Sequence, residues 1–249
     1  MLLVLLTALG VGGATVIGAG VGFLFRGISH KFSNLIVSFA AGIMLAAAVF
    51  GLILPSIEYS GSLGVVVAVL GILIGGVCIN LSDRIVPHIQ KIAVRDSADN
   101  ERDNLKSVLL FVIAIGIHNL PEGIAAGVGF GSGDVENALL IASGIALHNI
   151  PEGMVIIAPM LAAGITPRKT FIFALITGFA EVVGTLVGYF AVSFASAILP
   201  FALAFAGGTM LYVISEEMIP ETHASGEECR VTYAFLCGFC VMLVLDAVM

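Results

Sequence analysis

Long stretches of this chain contain no Lys, Arg, His, Asp or Glu, among them Met1 to Phe25 and Val182 to Ser215. An α-helix needs about 20 mostly apolar residues to cross a bilayer. In hydrocarbon every backbone N–H and C=O must be paired inside the protein, so uninterrupted apolar runs of this length form helices. The composition agrees, with 59% hydrophobic and 11% charged residues, against roughly a quarter charged in soluble domains. A water-soluble fold is therefore excluded. The length of 249 residues has room for about eight spans joined by short loops and for no separate soluble domain.

The expected fold class is an all-α integral membrane protein with eight transmembrane helices. Charge-free runs set against turn signals place them at 2–25, 33–55, 63–82, 107–129, 137–160, 170–193, 199–219 and 231–248. The run from Val182 to Ser215 is too long for one span and is divided near Ser196 to Pro200, where small residues and a proline mark a turn. The connection 83–106 is expected to be a cytoplasmic loop, because the Asp/Asn/Arg-rich stretch from Arg95 to Asn104 has too little apolar surface to order itself. With these spans all 10 Lys and Arg residues fall on one side, in the odd-to-even connections. The opposite loops carry Glu58, Asp134 and Glu136 and no basic residue. The positive-inside rule then puts both termini outside the cytoplasm, in a plasma (inner) membrane.

The net charge of −7 and the lack of a Lys/Arg cluster exclude a nucleic-acid partner and favour cationic ligands. The first 25 residues lack the positive n-region of a cleaved signal peptide and read as a retained span. Cys237 and Cys240 form a CxxC within an apolar segment. No second CxxC or nearby histidine completes a four-ligand site, so they read as packing residues. His30 and His88 stand beside basic residues without a spaced carboxylate and receive no ligand role, and Met44 reads as packing.

One hexapeptide occurs twice. His118-Asn119-Leu120-Pro121-Glu122-Gly123 returns as His148-Asn149-Ile150-Pro151-Glu152-Gly153, within the expected fourth and fifth helices. In each copy the His and Glu are one helical turn apart, so imidazole and carboxylate share a face and can converge on one ion, with the Asn amide about 100° around. Each proline removes an amide donor and frees the carbonyl one turn earlier, at Ile117 or Leu147. A kinked helix with an ordinary His–Glu pair would explain either copy alone; the repetition favours a shared cation cluster.

Glu181, amid apolar neighbours in the sixth helix, adds a third mid-membrane carboxylate. Each such group costs roughly 2.5–3.5 kcal/mol to insert, and every Lys and Arg is already placed outside the spans. Protonation or a metal ion must neutralise these groups. His, Glu and Asn donors suit a borderline divalent ion, with zinc first, and the absence of thiolate argues against copper(I). The end of the seventh helix offers Glu216, Glu217, Glu221 and His223 as an exit pathway toward the cytoplasm.

The paired HNLPEG and HNIPEG motifs, the helix-six glutamate and the Glu217-Met218-Ile219-Pro220-Glu221 segment resemble the ZIP (Zrt/Irt-like) metal-transporter family, particularly its prokaryotic GufA-like and ZupT-like members. The resemblance covers essentially the whole chain. It implies a binuclear site, with His118, Glu122, His148 and Glu152 around one ion, Asn119, Asn149 and Glu181 around a second, and Glu122 or Glu152 bridging. It also implies a 3+2+3 arrangement in which helices one to three and six to eight are inverted repeats around helices four and five, and family precedent suggests a homodimer. The chain departs from many members at Val182, where a proline is often found, at Glu216, often a histidine, and in its short helix-three loop without a histidine-rich tract.

The expected function is transport of divalent transition-metal cations into the cytoplasm, zinc first and Fe2+, Mn2+, Co2+ and Cd2+ after it. No prosthetic group is expected; the metal is cargo and the bilayer the setting. The alternatives are an intramembrane metalloenzyme and a metal sensor. The first is opposed by the spacing, since a hydrolytic HExxH helix carries two histidines one turn apart. The second is opposed by the absence of a signalling domain.

Overall fold

The computed structural model describes residues 1–24, 30–94, 116, 119–162, 164–224 and 228–248. All regular structure among them is helical, with no strand. Helix α1 is Leu2–Leu24. Helix α2 covers 30–59, built from His30–Ala46, a π-helical stretch Ala47–Ile53, and Leu54–Tyr59. Helix α3 is Gly64–Val94, α4 covers 119–131, α5 is Val135–Ala162 and α6 is Pro167–Phe194. Helix α7 covers 199–223, with Leu199–Val213 leading into a π-helical stretch Ile214–Met218 and then Ile219–His223. Helix α8 is Glu228–Val248. Seven of these contain segments long and apolar enough to span a membrane. The beginning of the expected fourth span, residues 107–118, lies almost wholly outside the described residues, as does 95–106.

Turn chemistry sets several boundaries. Gly133 and Gly164 adopt φ of 82° and 81° at the ends of α4 and α5, a conformation that side chains with a Cβ rarely take. Asp134 precedes α5 and accepts from the Asn137 N–H at 3.1 Å, satisfying one of the free donors of the first turn. The long uncharged run is broken at Ala195 and Ser196–Ile198, and Pro200 sits in the first turn of α7, where its missing N–H costs nothing. Helix α3 departs from the sequence expectation: it continues past Ser82 to Val94, into the stretch assigned to a loop. The apolar repeat Ile85, Ile89, Ile92 persists there, and charged residues do not end a helix once it leaves hydrocarbon.

Helix α1 packs along α5 and α6, α3 along α7, and α2 along α8 and α5. Small residues sit where backbones meet. A Cβ on Gly42 would strike the Phe235 carbonyl, and one on Gly238 the Phe39 carbonyl, so α2 and α8 touch main chain to main chain. Gly75 and Gly208 do the same for α3 and α7. A buried apolar core including Met44, Ala48, Leu52, Ala125, Ile141, Ile145, Leu203 and Met210 joins α2, α4, α5 and α7. Both π-helical stretches contribute to it, through Ala48 and Leu52 in α2 and Ile214 and Met218 in α7.

Candidate metal centre

The second hexapeptide lies in the middle of α5, and the first runs into the start of the described part of α4. The His148 Nε2 stands 3.3 Å from Glu122 Oε1 and 3.5 Å from Glu152 Oε2. One donor atom from each of Glu122, His148 and Glu152 lies within 4.8 Å of the others, a spacing that one ion can bridge. Glu122 and His148 are 3% and 4% exposed, while the Glu152 side chain retains 21%. The Glu152 oxygen that faces His148 is itself buried. His118 lies outside the described residues.

Glu181 is fully buried on α6 and stands in a cage of donors. Thr15 Oγ1 donates to its Oε1 at 2.6 Å, Asn119 Nδ2 donates to the same oxygen at 2.8 Å, and Asn149 Nδ2 donates to Oε2. Asn149 Nδ2 also donates to the Val11 carbonyl at 3.1 Å. Both asparagine amides thus spend their N–H groups on protein acceptors, and their oxygens remain. Asn119 Oδ1, Asn149 Oδ1, Glu122 Oε2, Glu152 Oε2 and His148 Nδ1 are buried without a hydrogen-bond partner. Unpaired buried polar atoms are costly, and this group combines carboxylate, amide oxygen and imidazole nitrogen, the donor types of a divalent-ion site.

The glycine closing each hexapeptide permits this geometry. A Cβ on Gly123 would strike the Glu181 carbonyl, and one on Gly153 the Thr15 carbonyl, so α6 presses onto α4 and α1 onto α5. The described Lys and Arg residues with described side chains, Lys31, Arg168, Lys169 and Arg230, all occupy first turns of helices. Lys169 is about 18 Å along α6 from Glu181 at 1.5 Å per residue.

The residues of the expected exit pathway are not drawn into the cluster. Glu216 and Glu221 are exposed on α7, and Glu217 is half-buried. His223 Nδ1 lies 2.9 Å from the Ile219 carbonyl and Nε2 3.5 Å from Thr232 Oγ1, contacts that tie down the end of α7. The four cysteines are exposed and unpaired, Cys237 and Cys240 among them. Thr15 and the Val11 carbonyl were not foreseen, because one threonine in an apolar helix resembles a packing residue.

A family model for the ZIP zinc transporters matches residues 95–246. The chain belongs to the ZIP family. It is 38% identical over 248 residues to the zinc transporter GufA of Myxococcus xanthus, covering 97% of both chains. It is 35% identical to the zinc transporter ZIPB of Bordetella bronchiseptica, over 94% of this chain and 77% of that one, and 32% identical to the zinc transporter ZupT of Chlorobaculum parvum, over 93% and 91%. This ZIP protein is a membrane protein, with its spanning helices and family agreeing on that point.

Proposed function

We propose that this ZIP protein transports divalent transition-metal cations, zinc first and Fe2+, Mn2+, Co2+ and Cd2+ as further cargo, into the cytoplasm. The observation that carries the reading is the buried Glu122–His148–Glu152 cluster, whose donor atoms lie close enough to share one ion and include atoms without a hydrogen-bond partner. The ion exchanges water for Glu122, His148 and Glu152, with His118 completing this set, while Asn119, Asn149 and Glu181 form the neighbouring set of a binuclear site. Glu216, Glu217, Glu221 and His223 line the way out. The membrane is the plasma (inner) membrane, the outer ends of α1 and α8 face away from the cytoplasm, and two copies form a homodimer.

Alternation follows if α1, α4, α5 and α6, bound together through Glu181, shift as one body against α2, α3, α7 and α8. Contacts repeat between the halves, α2 on α8 and α3 on α7, which supports inverted repeats. The test is 65Zn2+ uptake into proteoliposomes of the purified protein beside Glu152→Ala, with inserted protein quantified. Saturable uptake lost in the variant supports the reading. Zinc binding without uptake in the unaltered protein would move the sensor ahead.

A further inference from the structure

Helices α1 and α6 carry one pattern, Gly12-x-x-Thr15-x-x-Gly18-x-x-x-Gly22 and Gly178-x-x-Glu181-x-x-Gly184-x-x-x-Gly188. Their contacts correspond as well. A Cβ on Gly18 would strike the Ile150 carbonyl of the second hexapeptide, and one on Gly184 the Leu120 carbonyl of the first. Where α1 and α6 cross, a Cβ on Gly12 would strike the Gly178 carbonyl and one on Gly178 the Gly12 carbonyl. This reciprocal contact marks a local two-fold relation, as in an isologous interface. Thr15 therefore occupies on α1 the place that Glu181 occupies on α6, and the two meet across the axis through their 2.6 Å hydrogen bond.

We infer that Thr15 is a positioning residue of the metal site: its hydroxyl fixes the Glu181 carboxylate, which in turn orients the amides of Asn119 and Asn149 with their oxygens free for the ion. A carboxylate offers about four acceptor positions, and Thr15, Asn119 and Asn149 engage three of them. Each amide has its nitrogen on Glu181 and its oxygen unpartnered. Each asparagine is also three residues before Glu122 or Glu152, on the neighbouring turn. Without the threonine hydroxyl, the carboxylate loses the one donor that comes from outside the hexapeptides among the described residues, and both amides lose a fixed acceptor. Thr15 is 0% exposed, and in Thr15→Val a methyl fills the space that the hydroxyl leaves.

This inference rests on the metal site proposed above, and the experiment separates the two. KM and maximal rate of 65Zn2+ uptake are measured in proteoliposomes for Thr15→Val, Thr15→Ser and Glu152→Ala. Thr15→Val keeps the side-chain volume and is expected to raise KM by about tenfold or more, the usual loss when a group orienting metal ligands is removed. Thr15→Ser restores the hydroxyl and is expected to return KM close to the unaltered value. A normal KM in Thr15→Val, or equal impairment of Thr15→Val and Thr15→Ser, would overturn the inference, the second by showing that packing matters and the hydroxyl does not. Should Thr15→Val fail to insert, Thr15→Ala removes the hydroxyl without adding a methyl and takes its place in the comparison. Unchanged uptake in Glu152→Ala would instead overturn the site itself, and the role of Thr15 with it.

Discussion

Replacing Gly153 by alanine tests whether the α1–α5 contact sets the geometry around Glu181. A Cβ at this position would stand 2.9 Å from both Ala19 N and Thr15 C, and closer still to the Thr15 carbonyl oxygen. All three are main-chain atoms and cannot rotate away, whereas ordinary carbon contacts lie at about 3.5–4.0 Å. Helix α1 must therefore retreat by on the order of 1 Å, at a cost of about 1–3 kcal/mol for overpacking. The same retreat stretches the 2.6 Å Thr15–Glu181 hydrogen bond to about 3.6 Å, where it ceases to be one. Gly13, on the same helix, has nothing within 4 Å of its added Cβ, so Gly13→Ala serves as the control and should be neutral or stabilising by about 0.5–1 kcal/mol. Thermal unfolding in detergent and 65Zn2+ uptake are measured for both. Gly153→Ala is expected to melt earlier and transport with weakened apparent affinity. Equal stability and equal uptake in the two variants would refute the reasoning.

Other substitutions read other parts of the structure. His148→Ala removes the imidazole between two carboxylates and is expected to abolish high-affinity metal binding, measured by Co2+ absorption titration; an unaltered spectrum would remove His148 from the site. Asn137 Nδ2 donates to the Gly51 carbonyl at 3.3 Å, in the π-helical stretch of α2. Asn137→Ala should cost about 1 kcal/mol in thermal unfolding, and no loss would show that the carbonyl finds another donor. Cys237→Ser with Cys240→Ser should leave zinc uptake unchanged, since both thiols are exposed on α8 away from the cluster; lost uptake would return the CxxC to the candidate ligands.

The parts of the fold that could be read from the sequence are those in which one physical requirement dominates. A run such as Met1 to Phe25 has a single way to satisfy its backbone in lipid, so its helix was legible without tertiary information. The hexapeptides were legible because they occur twice, and the isolated Glu181 because a mid-membrane carboxylate demands compensation. Thr15 meets no such requirement, since a threonine can satisfy its hydroxyl on its own helix, as Thr177 does on the Ala174 carbonyl. Its correspondence with Glu181 emerges only once α1 and α6 are known to cross at Gly12 and Gly178. The continuation of α3 to Val94 was missed for a different reason: polarity reports departure from the membrane, and a helix can outlast it.

The pairing of a hydroxyl with a carboxylate across the local axis has an electrostatic logic. A second carboxylate at position 15 would face Glu181 at hydrogen-bonding range, and two like charges 4 Å apart repel by about 4 kcal/mol at an effective dielectric of 20. That penalty would come in addition to Glu122 and Glu152 nearby. Only protonation of one carboxylate or a bound cation would relieve it. Threonine replaces the repulsion with a donated hydrogen bond and keeps the crossing tight against Gly153. The repeated scaffold can then present two copies of His-Asn-x-Pro-Glu-Gly while confining the excess negative charge to one side of the axis.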